Sequence, residues 1–205
     1  MMWRKGPKGI WIGAALAALI VVSAIAAVGR HTRTEGSLAP IAGIGGPFSL
    51  VDHRGKHVTE RDYVGKPTLV FFGFTFCPDV CPTTLFELTN RLKELGPEAE
   101  RLNVVFITVD PERDTPQQLA LYLSSFDPRI IGLSGSEEDI AAAMKAYRVY
   151  ARKIPLKDGG YTMDHTATIY LMNKKGQFVG PMNYQDSEAN MRVKLRRLLN
   201  ASGAG

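Results

Sequence analysis

The stretch Thr68-Leu69-Val70-Phe71-Phe72-Gly73-Phe74-Thr75-Phe76-Cys77-Pro78-Asp79-Val80-Cys81-Pro82 decides how this chain folds. Its first seven residues run without polar alternation, as expected of a short strand buried on both faces. From about Pro82 to Leu95 the period changes, and Leu85, Leu88, Leu92 and Leu95 recur at the spacing of one helix face. Proline suits the first helical position, which predicts Cys81 as the N-cap and Cys77 in the loop before it. Both sulfurs would then lie at the positive end of a helix dipole, where thiolate is favoured over thiol. The chain has 2 cysteines, and these are both of them. Placed so close together they cannot staple distant parts of a fold, so redox or metal chemistry is expected of them.

A buried strand that delivers two cysteines to a helix N-terminus is the thioredoxin arrangement. Thioredoxins place two residues between the cysteines, whereas this chain has Pro78-Asp79-Val80. Phe48 to Val58 reads as a hairpin turning at His53-Arg54-Gly55-Lys56. Val104 to Val109 is a second buried strand. Thr115-Pro116 then reads as an N-cap and first helical residue, opening a helix to about Phe126. Ile130 to Leu133 predicts a short strand, and Ser136-Glu137-Glu138-Asp139 opens a helix to about Tyr147. Val149 to Ile154 with Gly160 to Met163 predicts a small hairpin. Thr166 to Met172 with Gln177 to Pro181 predicts another, turning at Asn173-Lys174-Lys175-Gly176. Ser187 caps a last helix to about Asn200. This order predicts an α/β, thioredoxin-like domain over residues 48–200, followed by a flexible C-terminus at 201–205.

The formal net charge of +5 comes from 25 basic and 20 acidic residues. Residues 1–34 hold Arg4, Lys5, Lys8, Arg30 and Arg33 and no acid, so the rest of the chain is formally neutral. A nucleic-acid partner would need a basic face on the folded part, and none is expected. Gly9 to Gly29 carries no charge, and at about 1.5 Å per residue such a run can cross a ~30 Å hydrocarbon core. Basic residues precede it, which predicts a cytoplasmic N-terminus at 1–9 and a transmembrane anchor at 10–28. A cleaved signal peptide is the rival reading, with Ala24-Ile25-Ala26 as the cleavage site. Residues 29–47, rich in Gly, Ala, Pro and Thr, read as a tether. The expectation is a single-pass protein of a bacterial inner membrane whose domain faces the oxidising periplasm.

The longer loop between the cysteines bears on their chemistry. A disulfide needs its sulfurs ~2 Å apart. Two thiolates on one metal at ~2.3 Å need them about 4 Å apart. Of the 4 histidines, His31 abuts the apolar run, and His53 and His57 sit at a turn, where solvation explains them. His165 lies just before the strand Thr166 to Met172, and in this fold the loop entering that strand faces the redox cysteines. Thioredoxins place a cis-proline there, but Asp164-His165-Thr166-Ala167-Thr168 has no proline. Two thiolates and an imidazole would be a soft donor set, better suited to Cu(I), or to Cu(II) with an added ligand, than to structural zinc. Asp114 and Thr115 read as caps of the helix that Pro116 begins. Asp79, Asp110 and Asp164 are candidates for shaping the site, and Arg113 is a candidate for shaping it or a partner surface. Met163 and Met182 read as packing residues.

Three segments together resemble the SCO/SenC family: Phe76-Cys77-Pro78-Asp79-Val80-Cys81-Pro82, then Thr108-Val109-Asp110-Pro111-Glu112-Arg113-Asp114-Thr115-Pro116, then Asp164-His165-Thr166-Ala167-Thr168-Ile169-Tyr170-Leu171. They occur in the family's order, and the resemblance covers about residues 45–200. It implies a copper metallochaperone that serves the dinuclear copper centre of cytochrome c oxidase subunit II, with Cys77, Cys81 and His165 as copper ligands. Other periplasmic copper carriers or thiol reductants are further partners it allows. A thiol–disulfide reductase that keeps the client's cysteines reduced, through a Cys77–Cys81 disulfide, is the alternative. Exchange needs only the two thiols, so His165 favours copper. Peroxide reduction fits poorly, because Phe74 and Val70 stand where peroxiredoxins carry a hydroxyl residue and a proline.

Overall fold

Strand β3 (Thr68–Gly73) is buried at all six positions, which explains its lack of alternation: both faces of the sheet are covered at this point. In this computed structural model the described residues are 39–157 and 159–201. Around β3 they form β1 (Ser49–Asp52), β2 (His57–Thr59), α1 (Val80–Leu95), β4 (Asn103–Thr108), α2 (Pro116–Leu123), β5 (Ile130–Ser134) and α3 (Glu137–Tyr147). The second half adds β6 (Ala151–Pro155), β7 (Tyr161–His165), β8 (Ile169–Met172), β9 (Phe178–Met182) and α4 (Glu188–Ala201). The main sheet runs β2-β1-β5-β4-β3-β8-β9, while β6 and β7 pair only with each other. This is the expected thioredoxin-like α/β arrangement.

The register places the site. Strands β3 and β4 run parallel, with Gly73 opposite Thr108, so both end at the same edge of the sheet. Strand β8 runs antiparallel to β3, with Ile169 opposite Phe71, so the chain enters β8 at that same edge. The cysteine loop, the segment after β4 and the segment after His165 therefore meet there, although they are far apart in sequence.

Helix starts follow their caps. Thr115 Oγ1 accepts from Gln118 N–H at 3.2 Å with Pro116 in the first turn, and Ser136 Oγ accepts from Asp139 N–H at 3.1 Å. Acidic Glu137, Glu138 and Asp139 face the positive end of α3. Ser187 Oγ accepts from Asn190 N–H at 3.3 Å, as its place before α4 predicts.

Three boundaries differ from expectation. Helix α1 begins at Val80, so Asp79 is the N-cap and Cys81 lies inside the first turn. Pro82 is tolerated one turn in because first-turn N–H groups have no intrahelical partner to lose. Helix α2 stops at Leu123, where Ser124 Oγ bonds back to Leu121 O at 2.7 Å and competes with further winding. Strand β8 begins at Ile169 and not at Thr166, because His165 still pairs with Ala151 and Thr166 N–H bonds Tyr150 O at 3.0 Å.

The predicted anchor at 10–28 and residues 202–205 lie outside the described residues, as does most of the tether. Within the described part of the tether, Ile41 N–H bonds Phe178 O at 2.7 Å and Gly45 N–H bonds Ala146 O at 2.9 Å. Among the described residues no helix is long and apolar enough to cross a membrane.

Candidate metal centre

The cysteine loop turns tightly as it leaves β3. Phe74 stays in the core, Cys77 N–H bonds Phe74 O at 3.4 Å, and three residues later the helix begins. Cys81 is fully buried under the sheet's edge, while Cys77 is half-buried. Room for Cys81 is made by Gly73, where a β-carbon would lie 2.8 Å from Cys81 Sγ and 2.6 Å from the Phe106 ring. Cys81 N–H points at Cys77 Sγ, 3.4 Å away, so a sulfur takes the place that an N-cap oxygen normally fills.

That geometry splits the two thiols. Hydrogen bonding from the Cys81 thiol pulls Cys77 down to about 4, opposed by burial and aided by hydrogen bonding from His165 and from the backbone N–H groups of Asp79 and Cys81. Cys81 is pushed up, because it is the donor to Cys77, because it is buried, and because a charge on Cys77 repels a second one. Both cysteines are free thiols in this structure.

His165, half-buried, ends β7 and brings Nε2 to 3.5 Å from Cys81 Sγ. Its Nδ1 lies 3.1 Å from Thr166 O. A carbonyl can only accept, so Nδ1 carries a proton, and in the neutral tautomer with that proton Nε2 offers its lone pair toward the sulfurs. Phe74 meets the ring edge-on at 5.7 Å between centroids. Cys81 thus lies beside both other donors, with its N–H on Cys77 Sγ and its Sγ within reach of His165 Nε2. Among the described residues no three His, Cys, Asp or Glu side chains are already spread around a vacant centre. Here the donors are drawn together around the Cys81 thiol. A soft cation that displaced its proton would meet two thiolates and one imidazole nitrogen, with water largely excluded on the Cys81 side.

The three aspartates go to different places. Asp79 is the exposed N-cap of α1 and caps through no side-chain bond. Asp110 is buried, pairs with Arg113 and accepts from Tyr161 Oη at 2.8 Å. Asp164 is exposed on β7, with no side-chain hydrogen bond or ion pair among the described residues. Asp114 was expected as a helix cap and is not one. Its buried carboxylate accepts from Thr75 N–H at 3.0 Å, Thr75 Oγ1 at 2.6 Å and Thr108 Oγ1 at 2.7 Å, fixing the start of the cysteine loop. The available signal was a pair of threonines at the ends of two parallel strands, with no partner assigned to their hydroxyls.

His53 was expected to be solvated, but its Nδ1 accepts from Gly132 N–H at 3.0 Å, and burial lowers its pKa. His57 is exposed, and His31 lies outside the described residues. Met182 is buried, and Met163 packs on the core.

Comparison with known proteins gives a family match: the SCO1/SenC family model covers residues 38–200. A mitochondrial SCO1 homolog 1 of Arabidopsis thaliana is 46% identical over 147 residues, which is 71% of this chain and 44% of that protein. The chain spans about half the length of several such relatives. Among solved structures, ScoI of Bradyrhizobium japonicum with copper bound is 55% identical at a TM-score of 0.72, covering 76% of this chain and 99% of that one. Yeast Sco1 with copper bound is 38% identical, also at 0.72, covering 77% and 89%.

Proposed function

Because this chain belongs to the SCO1/SenC family, we propose that it carries one copper ion on Cys77 Sγ, Cys81 Sγ and His165 Nε2 and passes it to the dinuclear copper centre of cytochrome c oxidase subunit II. The observation that carries this reading is the convergence of Cys77 Sγ, Cys81 Sγ and His165 Nε2 at one place, with Nδ1 turned away to the Thr166 carbonyl. Three soft donors suit Cu(I), or Cu(II) with one added ligand. Copper here is cargo, and a three-donor site leaves room for a donor from the acceptor protein to enter before the ion departs.

The test is Cu(I) titration of the reduced full-length chain under anaerobic conditions. One tight equivalent is expected, and Cys77→Ser, Cys81→Ser and His165→Ala should each weaken it severely. Tight, near-stoichiometric retention by His165→Ala would sink the three-ligand reading.

A second reading has its own support. A half-exposed thiolate at Cys77 beside a buried, protonated Cys81 is the division of labour of a thiol–disulfide reductase, with Cys77 attacking and Cys81 resolving. Such a protein would keep the client's copper-binding cysteines reduced. Cys81→Ser would then accumulate a mixed disulfide through Cys77, and His165→Ala would leave exchange intact. In both readings residues 10–28 hold the chain in a bacterial inner membrane with the domain in the periplasm. Fractionation that finds only a soluble form beginning near Ala27 would overturn that placement.

A further inference from the structure

The two halves of the site ride on segments that the main sheet does not join. Cys77 belongs to the β3–α1 loop and Cys81 to the first turn of α1, whereas His165 closes a hairpin whose strands pair only with each other. β6 and β7 have no ladder to the main sheet, and the chain running on from His165 into β8 brings the imidazole to the sulfurs, so side-chain contacts decide how firmly it is held there.

Arg113 stands at that joint. Its Cζ lies 3.8 Å from the Tyr161 ring centroid and 4.7 Å from that of Phe76. Tyr161 is the first residue of β7, and Phe76 is the residue before Cys77. The guanidinium also donates from Nη1 to Tyr161 O at 2.9 Å and from Nε to Asp110, which holds the Tyr161 hydroxyl at the same time. Its Nη2 is buried with no hydrogen-bond partner among the described residues. That group sits among aromatic rings, where contact with their faces takes the place of a hydrogen bond. Phe76 is 54% exposed, and Arg113 covers one face of its ring.

Strand periodicity carries the effect to the site. Tyr161, Met163 and His165 share one face of β7, and the ladder from Pro155–Tyr161 to Ala151–His165 is continuous. Fixing Tyr161 therefore fixes the direction of His165.

We propose that Arg113 is a positioning residue that clamps Tyr161 to Phe76 and so holds His165 against Cys77 and Cys81. This rests on the copper-binding reading above. The cysteine loop has supports besides the clamp, since Asp114 holds Thr75 and Gly73 leaves room for Cys81.

The experiment compares Cu(I) affinity, by competition with a chromophoric chelator, for the full-length chain and for Arg113→Leu, Arg113→Lys, Phe76→Ala, His165→Ala and the Arg113→Leu/His165→Ala double variant. Arg113→Leu should weaken binding roughly 10- to 100-fold, the usual effect of losing a group that orients a ligand. Arg113→Lys keeps the charge without the planar face and should stay weakened. In the His165→Ala background, Arg113→Leu should cost about twofold or less, because the residue acts through the histidine. Additive losses would overturn the proposal. Hydrogen exchange of the metal-free chains is the second readout: Arg113→Leu should deprotect β6 and β7 and leave β3 and α1 unchanged. Uniform deprotection, or none, would also overturn it. Phe76→Ala, at an exposed position, carries the same test if Arg113→Leu does not fold. Should His165→Ala bind copper like the parent, the copper reading fails, and the exchange data still decide whether the clamp exists.

Discussion

Gly73 and Cys81 are packed so closely that a β-carbon on the glycine would lie 2.8 Å from the cysteine sulfur. The glycine is needed for space, since its backbone is ordinary strand. Gly73→Ala should therefore cost about 1–3 kcal/mol by overpacking. It should also push Cys81 away from Cys77 and His165, so that copper binding falls by more than the stability loss explains. Chemical denaturation alongside Cu(I) titration checks both, and an unchanged affinity would show that the sulfur has room to move.

Cys77 should be reactive well into the acid range. With its pKa pulled down to about 4, its alkylation rate should change little between pH 8 and pH 6. An ordinary thiol slows by roughly two orders of magnitude over that interval. Cys81 should remain unmodified until the chain is unfolded. Mass spectrometry after timed iodoacetamide pulses measures both residues at once.

Asp114→Asn should destabilise the chain by about 1–3 kcal/mol, because three buried hydrogen bonds lose a carboxylate acceptor. Burial raises the Asp114 pKa in the folded chain, ahead of the opposing bonds from Thr75 and Thr108. The native state thus binds the proton more tightly than the unfolded chain. The group's contribution is fully present below the unfolded carboxyl value and declines as pH rises through the folded one. The destabilisation by Asp114→Asn should accordingly be larger in acid than at neutral pH. Urea unfolding of both chains at several pH values reads the difference.

Oxidation and copper loading should exclude each other. A Cys77–Cys81 disulfide leaves no thiolate donor, so the oxidised chain should not retain copper, and reduction should restore binding. Copper in turn should shield both cysteines from alkylation and raise the melting temperature in proportion to its binding. Strong copper retention by fully oxidised protein would contradict this.

The sequence made the cysteine end of the site legible and left its setting obscure. Cys77 and Cys81 are four residues apart, and the apolar run before them with the leucine period after them specifies strand, loop and helix locally. His165 was found by its place before a strand, although it belongs to the strand before that one: the pairing of Ala151 with His165 is a tertiary fact. Asp114 was misjudged for a related reason. Next to Thr115-Pro116 it reads as a cap, and only the parallel pairing of Gly73 with Thr108 brings Thr75 and Thr108 to its carboxylate. Arg113 reads from its segment as a residue that could shape the site, but its contacts span three separate segments, so no local pattern says what it would hold.

The span of 84 residues between Cys81 and His165 has a consequence for biogenesis. At ordinary elongation rates, roughly 4–17 s pass between synthesis of the second cysteine and synthesis of the histidine. The thiol pair thus exists first without its nitrogen partner, and a complete three-donor set requires the nascent chain to have reached the hairpin. A ribosome-bound chain truncated before that point presents two sulfurs alone.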